Sequence, residues 1–211
     1  MLRGGLERYV LFPLCFLFTV IDMIKILLTL VLILLPLSFA PDSEAKVFMK
    51  RDEALKTAFP NADSIEKNKI FLNNEQVEEI ESLSKAKLDS RLYVIYEGKK
   101  GSESLGYAII DTHHLRTKSE TVMFVINPDG TLRQAEILAF FEPPEYMAGD
   151  KWMDLFDDKG IENNSLKLGK DIPNITGATI TANSLTSSIR RVLAVFNVAT
   201  DNGLLFSEAG N

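Results

Sequence analysis

The stretch Asp171–Val198, DIPNITGATITANSLTSSIRRVLAVFNV, decides how the rest of the chain is read. Its second half is helical by pattern. Leu185, Ile189, Val192, Leu193 and Phe196 recur at spacings of three and four and build one apolar face, with Arg190 and Arg191 mostly off it. Thr181 and Asn183 are good N-caps, which predicts a helix start near them. The first half, Thr176-Gly177-Ala178-Thr179-Ile180-Thr181, is small and rich in hydroxyls. N–H groups in the first turn of a helix lack intrahelical partners, and the helix dipole is positive there. Glycine lets a phosphate approach the backbone, and hydroxyls add donors. The same residue types also make an ordinary capped loop, so this physics leaves an anion site and plain capping both open.

Upstream of that stretch the apolar period changes to two. Leu92–Glu97, Leu105–Asp111, Thr121–Ile126 and Thr131–Phe141 read as four strands with short connections. Gly98–Gly101 marks one turn, and Asn127-Pro128-Asp129-Gly130 a second, strong one. Lys46–Pro60 reads as a first helix closed by Pro60, and a second, acidic helix opens at Asn74 with Val77, Ile80 and Leu83 as its stripe. Residues 61–73 are polar and suggest no element. Lys151–Phe156 reads as a short helix in which Trp152 and Phe156 are i, i+4 neighbours. The expected fold is therefore α+β: an antiparallel sheet of about four strands packed against flanking helices, preceded by an N-terminal hydrophobic leader.

With these elements in place, Asp171-x-x-x-x-Thr176-Gly177-Ala178-Thr179-x-Thr181 resembles the S/T-G-A-T-x-T motif of the FMN-binding domain family. That domain occurs in the C subunit of the sodium-translocating NADH:quinone reductase and the G subunit of the Rnf complex. The strand at Gly106-Tyr107 and the following hairpin with its Asn127–Gly130 turn match the same order, and the resemblance covers about residues 90–200. It implies FMN joined by a phosphoester to a threonine hydroxyl through a dedicated flavin transferase. The residue in the modified position is Thr179, with Thr181 the second candidate. Gly177 and Ala178 would lie under the phosphate, with Thr176 and Thr181 donating to it. Glu142-Pro143-Pro144-Glu145 stands where the family has Glu-Thr-Pro-Gly, a departure that bears on the loop over the flavin. Glu142 would shape that loop. Tyr146 and Trp152 are candidates to cover the isoalloxazine ring, since aromatic faces stack on it, with core packing the preferred reading of both.

The 211 residues carry a net charge of −6 with 46% apolar and 25% charged content and no basic run, which argues against nucleic acid as a partner. Residues 9–40 are almost entirely apolar. Met23-Ile24-Lys25, the apolar run Ile26–Leu35 and small-x-small patterns ending at Ala40 and Ala45 compose a signal peptide. Pro41 after Ala40 makes Ala45 the better cleavage site. A retained anchor is the other reading, with Asp22 and Lys25 costly in lipid. The expected organisation is 1–45 signal peptide or anchor, 46–90 N-terminal helical segment and 91–206 FMN-binding domain. The expected location is the periplasm or the outer face of the bacterial cytoplasmic membrane.

Cys15, the only cysteine, lies in the leader, so the remainder has no thiolate for zinc, iron–sulfur or a disulfide. His113 and His114 read as a solvent-exposed loop rather than a metal site. No Ser/His/Asp set and no G-x-G-x-x-G occurs. The expected function is an exported electron-transfer flavoprotein serving a membrane redox complex, a cytochrome or a quinone-linked partner, with the flavin transferase needed for maturation. The alternatives are a stand-alone flavin-dependent reductase and a non-redox anion-binding or structural module.

Overall fold

A computed structural model describes residues 21–31, 46–162 and 166–205. The chain divides into two units, Met1–Asp42 and Ser43–Asn211. In the first, residues 21–31 form a helix, α1, exposed along its length. Among the described residues no helix is long and apolar enough to cross a membrane. The expected cleavage sites at Ala40 and Ala45, and Cys15, lie outside the described residues.

The second unit is built on one antiparallel sheet of six strands: β1 (Lys46–Val47), β2 (Ser64–Phe71), β3 (Leu92–Lys100), β4 (Glu103–His114), β5 (Ser119–Ile126) and β6 (Leu132–Phe140). Their order across the sheet is β1-β6-β5-β4-β3-β2. The helices are α2 (Arg51–Ala58), α3 (Asn74–Ser84), α4 (Asp150–Met153) and α5 (Thr179–Asp201), with 3₁₀ turns at Pro144–Tyr146 and Asp154–Phe156. The architecture is the expected α+β one, and β3 to β6 are the four strands read from the period of two.

The two added strands lie in the segment read as helical. Lys46 pairs with Phe140, so the helix expected over Lys46–Pro60 begins only at Arg51. β2 occupies the stretch 61–73 that suggested no element. It pairs with β3 from Ser64↔Lys99 to Phe71↔Leu92. As an edge strand it exposes most of its residues, Lys67 and Lys69 among them, so its sequence carries little apolar alternation. The ladder with β3, which no side-chain pattern reports, makes it a strand.

The strand period of two sorts the sheet into two faces. Tyr93, Ile95, Tyr107, Ile109, Val122, Phe124 and Ile126 join the larger core with Leu185, Ile189 and Phe196 of α5. Tyr96, Ala108, Met123, Val125 and Leu138 meet Ala54, Leu55 and Phe59 around α2 on the other face. Gly98 makes that second contact possible: a Cβ there would lie 2.5 Å from Phe59 Cγ. α3 starts with a capping box, Asn73 accepting from Gln76 N–H while the Gln76 side chain accepts from Asn73 N–H. Its last carbonyls are bound by α5: Arg190 donates Nε to Ser84 O at 2.6 Å and Nη2 to Leu83 O at 3.3 Å.

One detail of the sheet positions everything that follows. The register of β3 with β4 stops at Ile95↔Ile109, although β4 runs on to His114. From Ile110 to His114 β4 pairs only with β5. The sheet therefore opens between β3 and β4 at this end, alongside the first half of α5.

Candidate functional site

The residues leading into α5 are held by backbone turns rather than by regular structure. Gly169 N–H donates to Ile172 O at 2.7 Å, Asp171 and Ile172 N–H both return to Lys167 O, and Ala178 N–H returns to Ile175 O. Ile172 is fully buried and anchors the segment to the core. Gly169 and Gly177 take the positive φ that these turns require, +79° and +82°. At Gly177 nothing lies within 4 Å of the place a Cβ would occupy, so the backbone is bare on that side.

α5 starts three residues earlier than an N-cap at Thr181 predicts. Its N-cap is Ala178, without a side-chain hydrogen bond, and Thr181 and Asn183 lie inside the helix. The reason is tertiary. Ala178, Thr181, Ala182 and Leu185 are all buried, and packing of that face fixes the start over local capping preference. Asn183 instead donates Nδ2 to Thr179 O at 2.8 Å. The helix thus presents a first turn that no side chain caps, beside an open glycine, which is the arrangement that receives a phosphate.

Around it the fold closes a small cavity of about 50 Å³, lined by Gly177, Ala178, Ile180 and Thr181 and, from across the groove, Leu115, Arg116, Glu142 and Tyr146. Glu142 is 5% exposed. Its Oε1 accepts N–H bonds from Thr117 at 2.7 Å, Lys118 at 2.8 Å and Arg116 at 3.3 Å, and the Thr117 hydroxyl at 3.1 Å. Successive N–H groups form a nest for an anion, and here the nest is filled by a side chain. The Thr117 N–H draws the carboxyl below the usual carboxylate range; burial opposes this, and the remaining donors reinforce it. Glu142 is thus a clamp on the β4–β5 turn and not a solvated loop carboxylate. That turn presents Arg116, whose guanidinium lies 5.7 Å from the centre of the Tyr146 ring.

Of the residues singled out from the sequence, Gly177, Ala178, Thr181, Glu142 and Tyr146 meet at this cavity. Thr176 and Thr179 are exposed beside it, while Thr181 is 2% exposed. Trp152 lines neither this cavity nor the one described next. Its Nε1–H donates to Pro173 O at 2.7 Å and its ring meets Phe156 edge-on at 5.0 Å, so it ties down the approach to the motif.

A second, open cavity of about 440 Å³ lies between β4 and α5. Thr112, His113 and His114 of β4 line one side, and Asn183, Ser184, Ser187 and Arg191 of α5 the other, with Asp89 at the far end. Beneath it lies a buried polar circuit. Asp111 Oδ2 accepts from Ser188 Oγ at 2.6 Å and Arg191 Nη2 at 3.0 Å, and lies 3.1 Å from His113 Nδ1. His113 Nε2 is 3.2 Å from Glu120 Oε2, within ion-pairing distance but out of line for a hydrogen bond. Glu120 has no exposed surface.

Burial by itself opposes charge on Asp111, but the His113 hydrogen bond and the Arg191 charge outweigh it and hold the carboxyl at about 2. Burial likewise opposes charge on His113, and its Asp111 and Glu120 partners overcome it, raising the ring to about 9. The exposed loop expected for His113 and His114 is corrected here. Both belong to β4, and His113 is 6% exposed while His114 is exposed. The strand continues this far because the ladder with β5 extends to His114↔Ser119, and the charge partners that make burial of His113 tolerable come from β4 and β5. Asp111, Glu120, Ser188 and Arg191 were not singled out by sequence reasoning. The one available signal was a period-two strand running on through Asp111 and His113. Among the described residues no group of His, Cys, Asp or Glu is arranged to hold a metal ion.

The fold and this turn define a class first: an α+β domain whose long C-terminal helix offers a side-chain-free start to an anionic group. Residues 118–194 match the family model of the FMN-binding domain, a match that supports binding of FMN. The match takes in β5, β6, the Glu142 loop, the motif and most of α5. No curated protein matches the chain. The residues present fit the cofactor, since the bare Gly177 backbone, the uncapped first turn of α5 and Arg116 are what a flavin phosphate requires.

Proposed function

We propose that this protein holds FMN covalently on Thr179 and acts as an exported electron carrier for a membrane-associated respiratory partner. The observation that carries the reading is an exposed threonine hydroxyl in the first turn of α5, two residues from the bare Gly177, within an FMN-binding domain. A transferase must reach its acceptor hydroxyl. Thr179 is exposed, whereas Thr181 is buried, which favours Thr179 of the two. Transfer joins Thr179 Oγ1 to the flavin phosphorus, displaces the donor's leaving group and releases the hydroxyl proton.

When bound, FMN supplies the redox chemistry, and the protein supplies position and electrostatics. The Gly177 backbone and the first-turn N–H groups of α5 receive the phosphate. Arg116 offsets its charge, and Glu142 holds the turn that carries Arg116. Covalent attachment suits a location outside the cytoplasm, where a lost flavin is not readily replaced. The apolar, signal-like residues 9–40 support that location. The redox partner is a membrane complex, a cytochrome or a quinone-linked protein.

Intact-protein mass spectrometry of the exported form, made together with a flavin transferase, tests the reading. The expected result is an added mass of FMN less water that survives denaturation and is absent in Thr179→Ala. An adduct that persists in Thr179→Ala but disappears in Thr181→Ala would move the site, and no adduct at all would end the covalent-carrier reading.

A further inference from the structure

The gap that opens between β3 and β4 has a directional wall. Leu115 N–H donates to Lys118 O, which continues the β4–β5 register beyond His114↔Ser119. In an antiparallel pair, residues that exchange hydrogen bonds alternate with residues that do not. The hydrogen-bonded pairs of this ladder therefore fall on odd residues of β4, and Thr112 and His114 turn their N–H and C=O groups away from β5. Ser119 agrees with this, since its carbonyl accepts from Phe141 N–H on the β6 side. On the side that Thr112 and His114 face, the ladder with β3 has already stopped at Ile109. Their main chain thus lies along the 440 Å³ groove as a strand edge, with donors and acceptors at the spacing of a missing strand. From Ile110 to His114 the edge spans about 13 Å at roughly 3.3 Å per residue, the length of four or five extended residues.

The side chains on the two faces of the gap define what such a strand would carry. Toward α5 they are polar: Asn183, Ser184, Ser187 and Arg191. Arg191 is 7% exposed and makes one hydrogen bond, from Nη2 to Asp111. Its Nη1 lies 3.9 Å from Asp89 Oδ2, beyond hydrogen-bond reach, and that carboxylate is 83% exposed. A buried guanidinium with donors left over and a loose, solvated partner takes a better-placed carboxylate. Such an exchange leaves the charge balance of the buried circuit unchanged, because one carboxylate replaces another. Toward α2 the flanking residues are Val94 and Ile110, both packed on the α2 cluster, and the exposed Leu92.

We propose that this gap is an acceptor groove for an extended segment of a partner protein, which adds to the free edge of β4 as a strand. Its main chain bonds Thr112 and His114, an acidic side chain replaces Asp89 at Arg191, and the apolar residues that alternate with it face Val94 and Ile110. No residue of this edge lines the Gly177–Thr181 cavity, so the surface is separate from the cofactor site.

The test uses the full-length protein and a fluorescein-labelled, capped Val-Glu-Val-Ser-Val pentapeptide, read by anisotropy and by amide hydrogen exchange. The peptide is expected to bind and to slow exchange at Thr112 and His114 at least tenfold. N-methylation of one of its two alternating sets of amides, and not of the other, is expected to abolish binding. Asp89→Asn, at an exposed position, frees Arg191 and is expected to tighten binding several-fold. Thr112→Pro removes an N–H that no ladder uses and is expected to weaken binding about tenfold. If that variant fails to fold, Asp89→Asn and the N-methylated peptides still decide the outcome. No binding, or equal affinity for both N-methylated peptides, would overturn the strand groove. Equal affinity for glutarate would also overturn it, by making a small dicarboxylate the ligand. Protection of Thr112 and His114 in the free full-length chain, lost when residues 1–45 or 206–211 are removed, would overturn the partner and make the occupant a segment of this chain.

Discussion

The two cavities beside α5 are built in opposite ways. At the Gly177–Thr181 end the residues are consecutive in sequence, and Gly177, Thr179 and Ile180 are exposed. They are held by backbone turns, with side chains left uncommitted. At the Arg191 end Asp111, His113, Glu120, Ser188 and Arg191 come from three elements, are largely buried, and bind each other. One end is prepared for a group that arrives from outside. The other has its charges matched internally, and matched charges below a groove make a fixed polar floor. Function and stability should therefore separate along one helix: changes at the first end should cost cofactor and little stability, and changes at the second should do the reverse.

The largest effect belongs to the open end. Thr179→Ala should abolish the flavin adduct completely while leaving unfolding free energy within about 0.5 kcal/mol, as expected for an exposed position. Mass spectrometry and urea unfolding on the same preparation check both halves. A large stability loss would mean that the first turn of α5 is itself part of the core.

His113→Ala should do the opposite. It leaves Glu120 fully buried beside no cation, and breaking a buried pair costs about 3–5 kcal/mol. Folded molecules should still accept flavin. If the loss were below about 1 kcal/mol, water would be reaching Glu120, and the circuit would not be the structural element argued above.

The same circuit sets a pH dependence. His113 is raised from 6.5 to about 9, so its contribution is full below pH 6.5 and is lost as pH rises through about 9. Asp111 is lowered from 3.8 to about 2, so its contribution is present above pH 3.8 and is lost as pH falls through about 2. The groups that face them are Glu120 from β5, Ser188 and Arg191 from α5, Asp89, and Tyr93 of β3, whose hydroxyl burial pushes up to about 12. Chemical denaturation at stepped pH should show stability declining between pH 6.5 and 9 in the wild type, with most of that decline missing in His113→Gln. A flat wild-type profile over this range would contradict a charged His113.

The smallest effect is at Gly177. Its φ of +82° makes Gly177→Ala cost about 1–2 kcal/mol from backbone strain, with no clash because the space is open. Adduct yield should fall by more than that modest destabilisation explains, since the new methyl stands where a phosphate would approach. Full yield would show that the backbone at Gly177 is not approached.

How much of this could be read from the chain depended on distance in sequence. The helix of Leu185, Ile189 and Phe196 was legible because its period lies within one segment, and so were the four strands with their Asn127–Gly130 turn. β2 was not, because an edge strand with lysines facing water needs no apolar alternation and is made a strand by the neighbour that completes its hydrogen bonds. The start of α5 was misplaced because burial of Ala178 and Thr181 overrode the capping preference of Thr181 and Asn183. At the site, the Thr176–Thr181 motif was visible as contiguous residues. Glu142 was visible only as a member of a loop, and its role as a clamp depended on N–H groups that lie 24 to 26 residues before it.

By itself, then, the sequence determined the α+β class, the long C-terminal helix and the flavin motif at its start, because each is written in local period or in adjacent residues. Only the tertiary structure decided that the sheet opens past Ile109, that His113 is buried between Asp111 and Glu120, and that a groove lies between the end of β4 and α5. The physical reason is common to all three. Each depends on charge, burial or hydrogen bonding between residues that folding brings together across elements, and no local pattern encodes the partner a side chain will meet.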